Sequence, residues 1–125
     1  MRLLLDTHSL LWALGEPALL SQKAREALNA RENIVYVSVV SLWECAIKAS
    51  LGKLRLPGDF FEALAPAGFE WLPIALPHLN AYVELPMHHR DPFDRMLVAQ
   101  ALHEQLALVT RDQAIRRYAV PVISA

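Results

Sequence analysis

The sequence predicts an α/β protein with helices on both faces of a mostly parallel sheet. Short leucine-rich or β-branched runs alternate with segments of helical periodicity, the pattern of repeated βαβ units. Two of those runs end at or just before an aspartate, Asp6 and Asp112. That places two acids at one edge of the sheet, the edge at which parallel α/β folds bind ligands.

The elements follow in order. Residues 2–6, RLLLD, read as a short buried strand closed by an acid. Thr7 is the expected N-cap of a helix reaching about Leu14, and Gly15, Glu16 and Pro17 break it. Ser21 caps a second helix with Ala24, Ala27 and Leu28 on its apolar side, and Asn33 ends that pattern. IVYVS, residues 34–38, is a second strand. A helix from Val39 to about Leu51 follows and stops at Gly52, with Lys53 nearby. Phe60, Phe61 and Leu64 predict a short helix between the Pro57-Gly58 turn and Pro66. FEWLPI, residues 69–74, is a third strand whose end Pro73 confines to an edge or exit. Residues 76–85 form a helix opening at Pro77.

The stretch HHRDPFDRMLVAQA, residues 88–101, begins as a polar loop and becomes a helix built for burial. Phe93, Met96, Leu97, Gln100 and Ala101 form one stripe, Asp91 suits the N-cap and Pro92 the first helical position. LALVT, residues 106–110, is a further strand, Asp112 opens a short helix to about Tyr118, and PVIS is a last strand.

A chain of 125 residues with 54% hydrophobic and 20% charged residues is expected to fold as one domain, residues 1–125, with a real core. No apolar run has the ~18 residues of a membrane span, and the start, broken by Asp6 and His8, does not read as a signal peptide. One cysteine, Cys45, excludes an internal disulfide and fits a reducing cytoplasm; its apolar helical setting predicts a buried thiol. The net charge of −1 excludes a dedicated, strongly basic nucleic-acid-binding domain. A role on nucleic acid then needs a local basic rim or a metal ion.

Each acid has a structural and a functional reading. Asp6 could help cap the first helix, but with Thr7 available a second cap is redundant, which favours function. Glu44 fits a capping box with Ser41 and an i,i+4 pair with Lys48. Yet Ser38 is the better-placed cap, and an acid beside Val40, Trp43 and Ile47 needs a partner, which a metal could be. Both readings stand on the residues alone. Asp91 is the natural cap of its helix, which leaves Asp94 available. Asp112 could be only an N-cap, but Thr110 and Asp112 together at a strand end make function competitive. Four carboxylates converging at one edge would repel and resist ionisation. Hard oxygen donors of this kind suit Mg²⁺ or Mn²⁺. No zinc spacing, phosphate-binding glycine loop or GxSxG nucleophile setting occurs.

Three segments, LLLDTHSLLWAL, VSVVSLWECAIKASLGKL and HHRDPFDRMLVAQALHEQLALVTRD, resemble PIN-domain ribonucleases. More narrowly, they resemble the VapC-type toxins of type II toxin–antitoxin pairs. The motifs come in the family's order and cover nearly the whole chain. The resemblance implies a three-layer α/β/α sandwich and a Mg²⁺- or Mn²⁺-dependent endoribonuclease site. Its acids map to Asp6, Glu44, Asp94 and Asp112, with no departure at these positions. Asp6 and Asp94 are expected to hold the principal metal, and Glu44 and Asp112 to complete the site directly or through water. Thr7, Thr110 and Asp91 are expected to support it, and Lys48, Arg90, Arg95 and Arg111 to meet substrate phosphates. The resemblance further implies an RNA substrate, of which tRNA is one kind, an antitoxin partner and a homodimer. The Ser9–Leu14 stretch and residues 51–64 are candidate contact surfaces, with ordinary core as their alternative. His88 and His89 stay open between loop packing and substrate contact.

Three rivals remain. A haloacid-dehalogenase-type phosphatase also begins with strand-Asp, but it needs an aspartate where this chain has His8. A receiver-type phosphoacceptor domain needs paired acids after the first strand and a lysine after a late one, and neither is present. The non-enzymatic rival is a PIN-like domain kept only for binding, against which the four intact acids argue.

Overall fold

The computed structural model describes residues 1–125. Five strands, β1 (Arg2–Leu5), β2 (Ile34–Ser38), β3 (Glu70–Leu72), β4 (Ala107–Thr110) and β5 (Val122–Ser124), form one sheet. Its order is β3-β2-β1-β4-β5 and every neighbouring pair is parallel. Parallel neighbours need crossovers, which are supplied by α1 (Thr7–Gly15), α2 (Gln22–Asn29), α3 (Val39–Ser50), α4 (Leu76–Glu84) and α5 (Pro92–Glu104). The predicted fold class, helices on both faces of a parallel sheet, is the one observed.

Side-chain alternation in β1 divides the core. Leu4 faces α4 and α5, in a cluster with Met96, Leu97, Leu108, Ile115 and Tyr118. Leu3 and Leu5 face the other way, in a cluster with Leu10, Ala24, Val37, Cys45 and Val109. Period-two geometry sends successive strand residues to opposite faces, and both faces are covered, so Leu3–Leu5 are apolar without alternation while Arg2 stays exposed at the strand's start. Leu3, Leu4 and Leu5 are wholly buried, each worth roughly 1.5–3 kcal/mol of transfer free energy.

β1 is the central strand. The chain winds from it through β2 to β3 on one side, then crosses to β4 and β5 on the other. This reversal opens a crevice beyond the carboxyl ends of β1 and β4, where Asp6 and Asp112 follow their strands. The backbone N–H of Asp6 donates to the Val109 carbonyl of β4 (3.1 Å), which carries the pairing one residue past β1.

Three local expectations are corrected. The N-cap of α1 is Asp6 and not Thr7: the Asp6 carboxylate accepts from the Ser9 N–H (2.8 Å), while Thr7 is already helical. Residues 58–68 form successive turns rather than a helix. Pro57, Gly58 and Pro66 hem the segment in, and Gly68 sits at φ 99°, so only isolated i→i−4 bonds form, such as Ala63 N to the Asp59 carbonyl. Phe60 and Leu64 still reach the core. After β4, Asp112 accepts from the N–H groups of Ala114 and Ile115, but the helix beyond is a single 3₁₀ turn, Ile115–Arg117.

Exposed apolar residues occur both within the contact stretches expected from sequence, at Leu14, Leu51 and Phe61, and outside them. Trp43 on α3, Trp71 on β3, and Leu76, Leu79 and Val83 on α4 are exposed, and Val83 reaches 81%. Ser9, Leu10, Phe60 and Leu64, in the expected contact stretches, belong to the core. No helix is long and apolar enough to cross a membrane.

Candidate functional site

Asp6 enters the crevice at the end of β1. One carboxylate oxygen caps α1 and the other accepts the Thr110 hydroxyl at 2.6 Å, and only 5% of the residue is exposed. The Thr110 oxygen in turn accepts the Asp112 N–H at 3.0 Å. A single hydroxyl thus ties the acid after β1 to the acid after β4, two positions 106 residues apart in the chain.

Glu44 projects from α3 and is 7% exposed. Ser38 caps α3 through the Val40 N–H, so the Ser41–Glu44 capping box does not form. Glu44 instead accepts the Thr7 hydroxyl at 2.6 Å and pairs with the Lys48 ammonium at 2.9 Å. The partner that a buried acid requires is therefore supplied by protein groups on both oxygens. Lys48 is held further towards its charged form, mainly by the hydrogen bond to Glu44 and also by the charges of Glu44 and Asp91.

Asp91 and Asp94 separate as their positions suggest. Asp91 is the N-cap of α5 and accepts from the N–H groups of Phe93 (2.8 Å) and Asp94 (3.1 Å). Asp94 turns into the crevice, with its Oδ2 3.0 Å from His89 Nε2. The same nitrogen lies 3.1 Å from Asp112 Oδ2. One ligand-type atom each from His89, Asp94 and Asp112 falls within 4.8 Å of the others. The Asp94 carboxyl is pushed up to about 7, first by burial and then by the charges of Asp91 and Asp6; His89 opposes this and Asp112 adds to it. Negative charge is crowded here, and the donors are mainly hard carboxylate oxygens. Both properties fit a hard divalent cation.

The expected phosphate contacts divide. Arg90 is exposed and Lys48 half-buried at the edge of the acids. Arg95 is a correction: it is 6% exposed and faces inward. Its guanidinium donates to the Pro86 carbonyl (3.0 Å) and the Tyr118 hydroxyl (3.1 Å) and lies over the Tyr82 ring at 4.8 Å. Its planar fork fits several acceptors at once and leaves nothing for substrate. Arg111 donates to the Ala125 and Leu19 carbonyls and stacks over Trp12 at 4.4 Å, so it fastens the C-terminal end to α1.

His88 and His89 also divide. His88 packs edge-on against Tyr118, with ring centroids 5.0 Å apart. His89 reaches the acids, and its own N–H donates to the Tyr118 hydroxyl at 3.1 Å. The available sequence signal was its place two residues before the N-cap Asp91, which aims a side chain back over the first turn of α5.

The all-parallel order and the acids gathered at its reversal point define an α/β protein with an acid-lined site. The chain belongs to the PIN domain family, whose model matches residues 3–121. It is 28% identical over 129 aligned residues to the protein named Ribonuclease VapC22 of Mycobacterium tuberculosis (strain ATCC 25618 / H37Rv), covering 94% of this chain and 92% of that one. Among solved structures, its fold is similar to VapBC2 from Rickettsia felis bound to a DNA fragment from the promoter. The TM-score there is 0.74, at 17% identity and 98% coverage of both chains. It is also similar to DNA-bound VapBC from Salmonella typhimurium, with TM-score 0.72, 16% identity and 98% and 97% coverage. The resemblance carried by the three sequence motifs thus holds for family and fold.

Proposed function

We infer that this chain, as a single nuclease domain, is a Mg²⁺- or Mn²⁺-dependent endoribonuclease and the toxin of a toxin–antitoxin pair, acting in the cytoplasm. The observation that carries the reading is the convergence of Asp94 and Asp112 at His89, with one ligand-type atom each within 4.8 Å of the others, at a place where burial first, and then the charges of Asp91, Asp6 and Asp112, raise the Asp94 carboxyl. A cluster that keeps an acid from ionising is costly unless a cation relieves it. Support comes from family membership, from the ribonuclease name of the Mycobacterium relative and from the VapBC complexes that share the fold.

In this reading Asp94 and Asp112 would hold the ion, with Asp6 and Glu44 adding negative charge to the site. When bound, the ion supplies charge stabilisation for an RNA phosphodiester and lowers the pKa of a water at the site. Thr110 fixes the Asp6 and Asp112 loops relative to each other, and Thr7 holds Glu44 in place. Holding a cation would require Asp94 ionised, so loading should strengthen as pH rises through about 7. Lys48 and Arg90 supply local positive charge for RNA phosphates, which the net charge of −1 does not. Single-stranded loops, including those of tRNA, present splayed nucleotides suited to such a cleft. An antitoxin and a second copy of the chain are the expected protein partners.

The test is cleavage of purified structured RNA with and without added Mn²⁺ or Mg²⁺, using protein freed of any co-purifying partner. Expected is endonucleolytic cleavage that appears with the ion and stops with excess chelator. RNA left intact under every ion condition would leave a binding module and overturn the nuclease reading.

A further inference from the structure

His89 lies within ligand distance of the acids, which makes it look like part of the donor set. Its other nitrogen argues otherwise. The Asp91 backbone N–H points at His89 Nδ1 at 3.2 Å, so Nδ1 is the acceptor of the ring. A neutral imidazole carries one proton, and with Nδ1 accepting, that proton sits on Nε2. Nε2 then has no lone pair for a cation, but it has an N–H aimed at Asp94 Oδ2 (3.0 Å) and Asp112 Oδ2 (3.1 Å).

We propose that His89 is a positioning residue and not a ligand: its Nε2–H draws one oxygen of Asp94 and one of Asp112 to a single point, setting their separation for a divalent cation. The assignment rests on the metal-site reading above and deepens it.

The ring is fixed from several directions. Asp91 holds Nδ1 through its amide while its own carboxylate caps α5. The Tyr118 hydroxyl receives both the His89 N–H and a guanidinium N–H of Arg95. The His89 side chain is 17% exposed, so little water competes for Nε2. Without this donor, two carboxylates, one from the first turn of α5 and one from the segment after β4, repel and turn towards water, and bringing them together must then be driven by ion binding itself. Donors just outside a coordination sphere act in this way, and their loss typically weakens metal binding about 10–100-fold.

Two measurements on the whole chain decide the question. The first is Mn²⁺ affinity by calorimetry for wild type, His89→Ala and His89→Gln. Gln places an N–H near the Nε2 position without an imidazole lone pair. Expected is about 10–100-fold weaker binding in H89A, with most of the loss recovered in H89Q. Equal affinity in wild type and H89A would overturn the proposal, and so would H89Q as weak as H89A, the result for a ligand. A wild type that binds no Mn²⁺ would sink the metal-site reading itself, and the proposal with it. The second measurement, which needs no variant, is the ¹⁵N spectrum of the His89 ring at pH 8 with and without Mg²⁺. The Nε2–H tautomer in both conditions supports the proposal. A switch to Nδ1–H on adding Mg²⁺ would mean that Nε2 has become a ligand.

Discussion

Asp94→Asn is expected to lower RNA cleavage by at least about 10²-fold, the scale on which removing one electrostatic stabiliser acts, and at the same time to make the metal-free protein more stable at pH 8. The two effects share one cause. In the folded, metal-free chain the Asp94 carboxyl is raised from 3.8 to about 7 by burial and by its acidic neighbours. Between those values the folded state keeps a proton that the unfolded chain has released. The stability this confers is full below the unfolded pKa of 3.8 and is lost as pH rises through about 7. Above pH 7 the wild type therefore carries an ionised Asp94 at a cost on the order of 4 kcal/mol, a rise from 3.8 to about 7 at 1.36 kcal/mol per pKa unit. Asparagine resembles the protonated form and avoids that cost.

Urea unfolding with chelator at pH 8 should show D94N the more stable protein, and near pH 4 the difference should vanish. Added Mn²⁺ should narrow or reverse the gap, because only a protein that binds the ion gains from it. A D94N variant less stable than wild type at pH 8 without metal would mean that the acid cluster is not under electrostatic strain.

Arg95→Ala is expected to cost about 2–4 kcal/mol of folding stability, well beyond the ±0.5 kcal/mol or so expected at the exposed Arg90. The substitution removes donors from the Pro86 carbonyl and the Tyr118 hydroxyl and takes a cation off the Tyr82 ring. Arg95→Lys should recover little, because one ammonium cannot reach acceptors in those separate directions. Where R95A remains folded, its Mn²⁺ affinity should also fall, since Tyr118 anchors the His89 backbone. Chemical denaturation of R95A, R95K and R90A checks the first part. A neutral R95A would mean that the buried guanidinium contributes no more than a surface charge.

What was legible in the sequence follows from how local each feature is. β2 was readable because Ile34–Ser38 is β-branched and aromatic, a property of five adjacent residues. The start of α5 was readable because Asp91 and Pro92 are cap and first-turn residues wherever they occur. The Asp6 cap was misread because two neighbouring residues could each serve, and the choice lay elsewhere in the chain. Thr7 gives its hydroxyl to Glu44 on α3, 37 residues further along the chain. Arg95 was misread for a similar reason: Tyr82, Pro86 and Tyr118 surround it only after folding, and its neighbour Asp94 on the same turn faces the acids. The role of His89 is not legible in sequence because it depends on which ring nitrogen is occupied, which the Asp91 amide decides only in space. The acids were identifiable as a group, but their partition was not. Glu44 is matched by Thr7 and Lys48, whereas Asp94 and Asp112 meet at His89.

Cys45 sits beside Glu44 on α3, wholly buried, with its thiol pushed up to about 11 chiefly by burial and further by the Glu44 charge. In the closed protein such a sulfur is nearly inert to alkylating reagents, since the thiolate is the reactive form. Its modification must then wait for the α3 face to open. The chain's one cysteine is in effect a clock placed one residue from Glu44, and the pace of its labelling counts how often the core beneath α3 comes apart.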